Sequence, residues 1–257
     1  VQAGNALMNE PLAGACRGDA MKNCCESEDW CESVENGEAI NVCLKEGFDA
    51  LSEGCKEQLL EEIKVEGNSI EMKPGMEVAC VGMLRGDGAV CAGISSGGGK
   101  VIECLVEHKD GDGVEAGCKR EIELDLELTS KDYRLKFGIS NDCESDIGKL
   151  CGEELADVES DSLTHGGAVL KCLADNIRGI EESACRADVK RYVRNSGMNW
   201  MTDVNLKTSC TGDVGKFCGG VEVGHGLVNE CLLAKIEGGE EVSAACVEAE
   251  FGLKQAQ

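Results

Sequence analysis

The sequence predicts an all-α chain of four disulfide-stapled helical repeats, stacked into an elongated array. Three observations carry this expectation. A cysteine pattern recurs four times in phase, apolar residues flank the cysteines at helical spacing, and 18 cysteines accompany an aromatic content of only 3%. A core this poor in aromatics lacks its largest apolar side chains, and cysteine is the residue present to compensate. The cysteine count is even and far denser than a reduced cytosolic enzyme carries, which points to a disulfide framework built in an oxidising compartment.

The unit reads Cys, short gap, Cys, longer gap, Cys-Leu, about a dozen residues, Cys. The first copy uses Cys16, Cys24, Cys43-Leu44 and Cys55, and the second Cys80, Cys91, Cys104-Leu105 and Cys118. The third uses Cys143, Cys151, Cys172-Leu173 and Cys185, and the fourth Cys210, Cys218, Cys231-Leu232 and Cys246. From the last cysteine of one copy to the first of the next there are always 24 intervening residues. Cys25 and Cys31 fall outside the scheme, in the first copy, and read as an extra pair. The pattern divides the chain into an N-terminal segment, 1–15, and repeats at 16–79, 80–142, 143–209 and 210–257.

Each unit predicts three helices. Cys143, Ile147, Leu150 and Cys151 stand at i, i+4, i+7 and i+8, as do Cys210, Val214, Phe217 and Cys218. That is one apolar helix face with a cysteine at each end. In the second copy Cys91 lies eleven residues after Cys80, close to three helical turns, so the same face is expected there. The second helix opens at glycine: Gly37, Gly98-Gly99, Gly166-Gly167 and Gly226. It then packs through the Cys-Leu pair and an apolar residue three before the Cys, namely Ile40, Val101, Val169 and Val228. The fourth cysteine opens the third helix, where Cys185, Val189, Tyr192 and Val193 repeat the helical face. The last copy is weaker here, as a terminal cap is expected to be. Four cysteines on meeting faces allow three pairings, and spacing alone does not choose among them. Antiparallel helices favour first to fourth and second to third. A bridge closing about forty residues stabilises by roughly 4 kcal/mol in the chain-entropy model.

CESDIGKLC from Cys143 and CTGDVGKFC from Cys210, each followed by a Gly-led segment ending in Cys-Leu and then a fourth Cys, resemble the cysteine-rich repeat of the Golgi-complex cysteine-rich glycoprotein family. That family is also described as a cysteine-rich fibroblast growth factor receptor and an E-selectin ligand. The spacers DYRLKFGISNDC and NWMTDVNLKTSC resemble its inter-repeat segment. The resemblance covers nearly the whole chain and implies the repeat architecture. No residue here matches a growth-factor or selectin site. The second copy departs from the pattern, with Met83 where the others carry Asp19, Asp146 and Asp213.

A net charge of −24 excludes the basic surface that a nucleic acid backbone or an anionic membrane requires. No apolar run is long enough to span a bilayer. Val1 reads as a processed or trimmed start. Arg17-Gly18-Asp19 and Arg85-Gly86-Asp87 spell an integrin tripeptide. Asp19, however, occupies the register of Asp146 and Asp213, where a carboxylate at a helix start favours the dipole. Ser95-Ser96-Gly97-Gly98-Gly99-Lys100 fails the phosphate-loop pattern at Ile94 and Val101. Asp110-Gly111-Asp112-Gly113 with Glu121 departs from a calcium loop at Val114 and Glu115. His108, His165 and His225 have no zinc-ligand spacing, and no Cys-x-x-Cys occurs. The vicinal Cys24-Cys25 reads as a crowded bridge node. No catalytic signature is visible. Asparagines at Asn41, Asn141 and Asn229 form only the rare Asn-x-Cys glycosylation triplet.

The expectation is a protein without catalytic, cofactor or metal residues. It binds or scaffolds protein partners, basic ones included, through an acidic surface in the Golgi or secretory lumen or outside the cell. The alternative is a structural, peripheral lumenal subunit of a larger organelle-membrane complex, in a thylakoid-type lumen among others.

Overall fold

In the computed structural model, residues 5–160 and 166–256 are described, and every regular element among them is helical. The chain divides into two compact units, Val1–Asp125 and Leu126–Gln257, with the division inside one helix. The first unit carries α1 (Glu10–Asn23), α2 (Glu28–Glu32), α3 (Gly37–Glu46), α4 (Glu53–Glu66), α5 (Pro74–Ala79), α6 (Val81–Leu84), α7 (Lys100–His108) and the start of α8 (Ala116–Thr129). The second completes α8 and adds α9 (Phe137–Asp142), α10 (Glu144–Leu150), α11 (Gly152–Ser160), α12 (Gly166–Asp175), α13 (Ser183–Met198), α14 (Val204–Asp213), α15 (Leu227–Glu237) and α16 (Ala244–Ala256).

All 18 cysteines are bridged. The long bridges are Cys16–Cys55, Cys80–Cys118, Cys143–Cys185 and Cys210–Cys246. The short ones nest inside them: Cys24–Cys43, Cys91–Cys104, Cys151–Cys172 and Cys218–Cys231. Cys25–Cys31 is the ninth. All long-bridge cysteines are buried, and each fourth cysteine is the third residue of its helix, in α4, α8, α13 and α16. Their Cα atoms approach to 4.6–4.8 Å, against 5.7–6.1 Å in the short nested bridges. The first and third helices therefore nearly touch at the bridge.

The Gly-led helices α3, α7, α12 and α15 bury the leucine that follows each third cysteine. Leu44, Leu105, Leu173 and Leu232 are all 0% exposed. Two glycines have a steric role. Gly226 stands at φ 75° before α15, a conformation that L side chains rarely adopt. A Cβ at Gly166 would lie 2.3 Å from Asp132 Cγ, so only glycine lets α12 start so close to the preceding turn. The constant spacer is likewise a structural element. Between fourth and next first cysteines, the third helix runs out, a 3-10 turn follows (Ile70–Met72, Tyr133–Leu135 or Trp200–Thr202), and the next first helix begins. Asp132 and Asn199 cap two of these turns by accepting from Arg134 N at 2.8 Å and Met201 N at 3.0 Å.

The first helices differ from the continuous rod expected. In the third copy Cys143 separates α9 from α10, and in the fourth α14 gives way to a π-helical turn, Val214–Cys218. The predicted face still turns inward, with Cys143, Ile147 and Cys151 buried. In the second copy the helical expectation fails. α6 ends at Leu84, Arg85 is extended, and Gly86 and Gly88 take positive φ, so a loop carries Cys91 inward. Its N–H donates to Met83 O at 2.9 Å. Two glycines within three residues favour that loop over about two further helical turns.

Candidate functional site

The recurring aspartate three residues after the first cysteine caps a helix other than its own. Asp146 accepts from Glu181 N at 2.8 Å and Glu182 N at 3.1 Å, at the entrance to α13. Asp213 accepts from Ser243 N at 3.2 Å and Ser243 Oγ at 2.6 Å, at the entrance to α16. Asp19 accepts from Ser52 N at 3.1 Å and Ser52 Oγ at 2.6 Å, at the entrance to α4. This corrects the sequence reading: the carboxylate does face a positive helix end, but that end belongs to the third helix. In these three copies the first helix thus holds the third by a disulfide and, about one turn away, by a charged hydrogen bond. In the second copy Met83 instead packs its sulfur 3.5 Å from Cys118 Sγ.

Two buried polar networks escaped the sequence reading. In the first unit Lys73 is 8% exposed, with Asp125 at 2.6 Å and Glu66 at 3.6 Å, and Lys45 closes the other side of Glu66 at 2.7 Å. Burial alone lowers the Lys73 pKa, but the charges of Asp125 and Glu66 outweigh it and hold it above its ordinary value. In the second unit Asp203 caps α14 through Asn205 N at 2.8 Å and accepts from Tyr192 Oη at 2.7 Å. Glu250 is 1% exposed, and its Oε1 has no hydrogen-bond partner. Burial, reinforced by the Asp203 charge, pushes the Glu250 carboxyl up to about 7. Burial and the same charge push the Tyr192 phenol well above its usual range. Neither network had a signal in the spacing, because each joins residues from different helices.

Several residues of the motifs weighed for ligand chemistry serve the fold instead. Arg17-Gly18-Asp19 lies within α1, with Arg17 paired to Glu32 and Asp19 engaged as a cap. Arg85 pairs with Glu77 at 2.5 Å. Gly98 N and Gly99 N donate to Asn68 Oδ1 and Asn68 O, so these amides serve the chain itself. Asp110 is held by Lys109 at 2.5 Å and Lys119 at 2.9 Å. Opposing the pull of burial, these two lysines hold its carboxyl below the usual range. Among the described residues, the clusters whose ligating atoms converge within 4.8 Å are Cys91, Cys104, His108 and Cys151, Glu154, Cys172, each built on a disulfide. His165 lies outside the described residues. Cys24 and Cys25 enter separate bridges. Asn41 and Asn229 are buried at 2% and 6%, which removes their Asn-x-Cys triplets from the surface. Among the described residues no helix is long and apolar enough to cross a membrane.

The family model described as cysteine rich repeat matches residues 53–113, 116–180 and 183–240. Golgi apparatus protein 1 of Homo sapiens and of Mus musculus are each 25% identical to the chain over 204 residues, covering 76% of it and 17% of the relative. The Golgi apparatus protein 1 homolog of Caenorhabditis elegans is 23% identical over 218 residues, covering 79% and 18%. The chain thus spans under a fifth of the length of these relatives. No solved structure matches it. Each matched segment opens just before a fourth cysteine and closes before the next, so the long bridges Cys80–Cys118 and Cys143–Cys185 each join one matched segment to its successor.

Proposed function

The chain belongs to the cysteine rich repeat family, and from that premise we propose that it is a non-enzymatic binding or scaffold protein of the Golgi or secretory lumen or the extracellular space. Its acidic surface is the feature that recruits protein partners, basic ones first. The observation that carries this reading is the complete use of cysteine: all 18 sit in disulfides, which suits an oxidising compartment. Of the groups that the motifs offered, Asp19 serves as a cap and Arg17, Arg85 and Asp110 stand in ion pairs. What is left for recognition is a surface of large negative charge, which speeds encounter with basic partners and is screened by salt. The relatives' name places them at the Golgi apparatus, which supports the compartment.

Co-purification from secretory membranes at graded salt tests the reading. The expected outcome is a discrete set of basic partners released as ionic strength rises. Retention in a large assembly through a salt-resistant contact would overturn it in favour of a structural subunit.

A further inference from the structure

The second copy, which lacks the capping aspartate, lines a cavity. It has a volume of about 300 Å³, within the size range of ligand-binding clefts. Buried sulfur forms its floor: Met83 and the Cys80–Cys118 bridge. Val90 forms an apolar wall, and His108, Asp112 and Glu115 stand exposed around it. His108 Nδ1 is 2.9 Å from Cys104 O, which leaves Nε2 as an acceptor. Neighbouring Asp110 is neutralised by Lys109 and Lys119, whereas Asp112 and Glu115 form no ion pair among the described residues.

An apolar floor beneath two unpaired carboxylates and an imidazole acceptor suits a cation on an apolar stem. A bare metal ion fits less well, because the ligating atoms of His108, Asp112 and Glu115 are not among those that converge within 4.8 Å. A lysine side chain has the required form, with methylenes to cover sulfur and Val90 and an ammonium to meet the carboxylates. We propose that this cavity receives a lysine side chain of a protein partner, its stem over Met83 and Val90 and its ammonium at Asp112 and Glu115. The proposal rests on the reading of the chain as a binder of basic partners and gives that reading one specific pocket.

The test uses the full oxidised chain with methyl-labelled methionine, observed by NMR during titration with N-acetyl-lysine methylamide and with its uncharged norleucine counterpart. The Met83 methyl is expected to shift saturably with the lysine probe alone. Asp112→Asn with Glu115→Gln is expected to weaken that response about tenfold, as the loss of two solvent-accessible ion pairs implies. An equal shift with norleucine, an unchanged double variant, or no shift overturns the proposal. Capture of basic partners is measured on the same proteins. Capture that survives in the double variant, with Met83 silent, rejects the pocket and leaves the broader function standing. A Met83 response without capture of any basic partner rejects the broader function alone.

Discussion

Asp146 and Glu250 are both almost fully buried carboxyls, at 1% exposure each, yet they have opposite consequences. Asp146 receives two backbone N–H groups at the mouth of α13, which satisfy its buried oxygens. Asp146→Ala is expected to destabilise the chain by about 1–2 kcal/mol, the cost of a lost cap, measured by urea denaturation. Glu250 has no such donors at Oε1 and faces the Asp203 charge. Its folded-state pKa of about 7 lies above the ordinary 4.5, so the folded chain binds more protons than the unfolded one between those values. Its contribution to stability is therefore full below the unfolded pKa and is lost as pH rises through about 7. The urea midpoint of the parent should fall across this window, and Glu250→Gln should flatten the fall by up to one proton's worth. An unchanged slope in the variant would contradict the assignment. The repeated aspartate was legible as a register position, but its partner was not. A cap supplied by another helix depends on how two helices cross, which spacing along one helix does not report.

At the level of elements, the helix faces were legible wherever one residue repeats every turn. Ile40, Val101, Val169 and Val228 were assigned inward, and all lie at 6% exposure or less. The second copy's first helix was not legible, because a spacing of eleven residues fits three helical turns without requiring them. There Gly86 and Gly88 turn the chain into a loop, and Cys91 reaches the interior by backbone curvature. The bridges differ in what they stabilise. Cys143–Cys185 closes 42 residues and Cys218–Cys231 only 13. The chain-entropy model gives about 4 and about 3 kcal/mol respectively. Cys143 and Cys185 are also 0% exposed, so removing both leaves a small cavity in a packed interior. Cys143→Ala with Cys185→Ala should therefore lower Tm more than Cys218→Ala with Cys231→Ala, measured by calorimetry under non-reducing conditions. The reverse order would show that loop length and burial do not govern these bridges.

For the whole molecule, the family's matched segments and the disulfides are out of phase. A long bridge crosses the border at 113–116 and another the border at 180–183. Proteolytic cuts at those borders should leave one covalent species that separates only on reduction, seen by electrophoresis with and without reductant. In-phase recurrence of cysteines made the helical class and the nested arrangement readable as expectations, because cysteines that pair must share faces. The polar networks around Lys73 and Asp203 were not readable, since they depend on contacts between residues far apart in the chain. The central claim is a fully oxidised chain with nested bridges, and the most direct test is intact mass after alkylation, with and without reductant, followed by peptide mapping. The account predicts no alkylation before reduction, a gain of two hydrogens for each of nine bridges, and linked peptides joining Cys16 to Cys55 and Cys24 to Cys43, with the same nesting in later copies. Free thiols in the freshly isolated protein, or links between first and second cysteines, would contradict it.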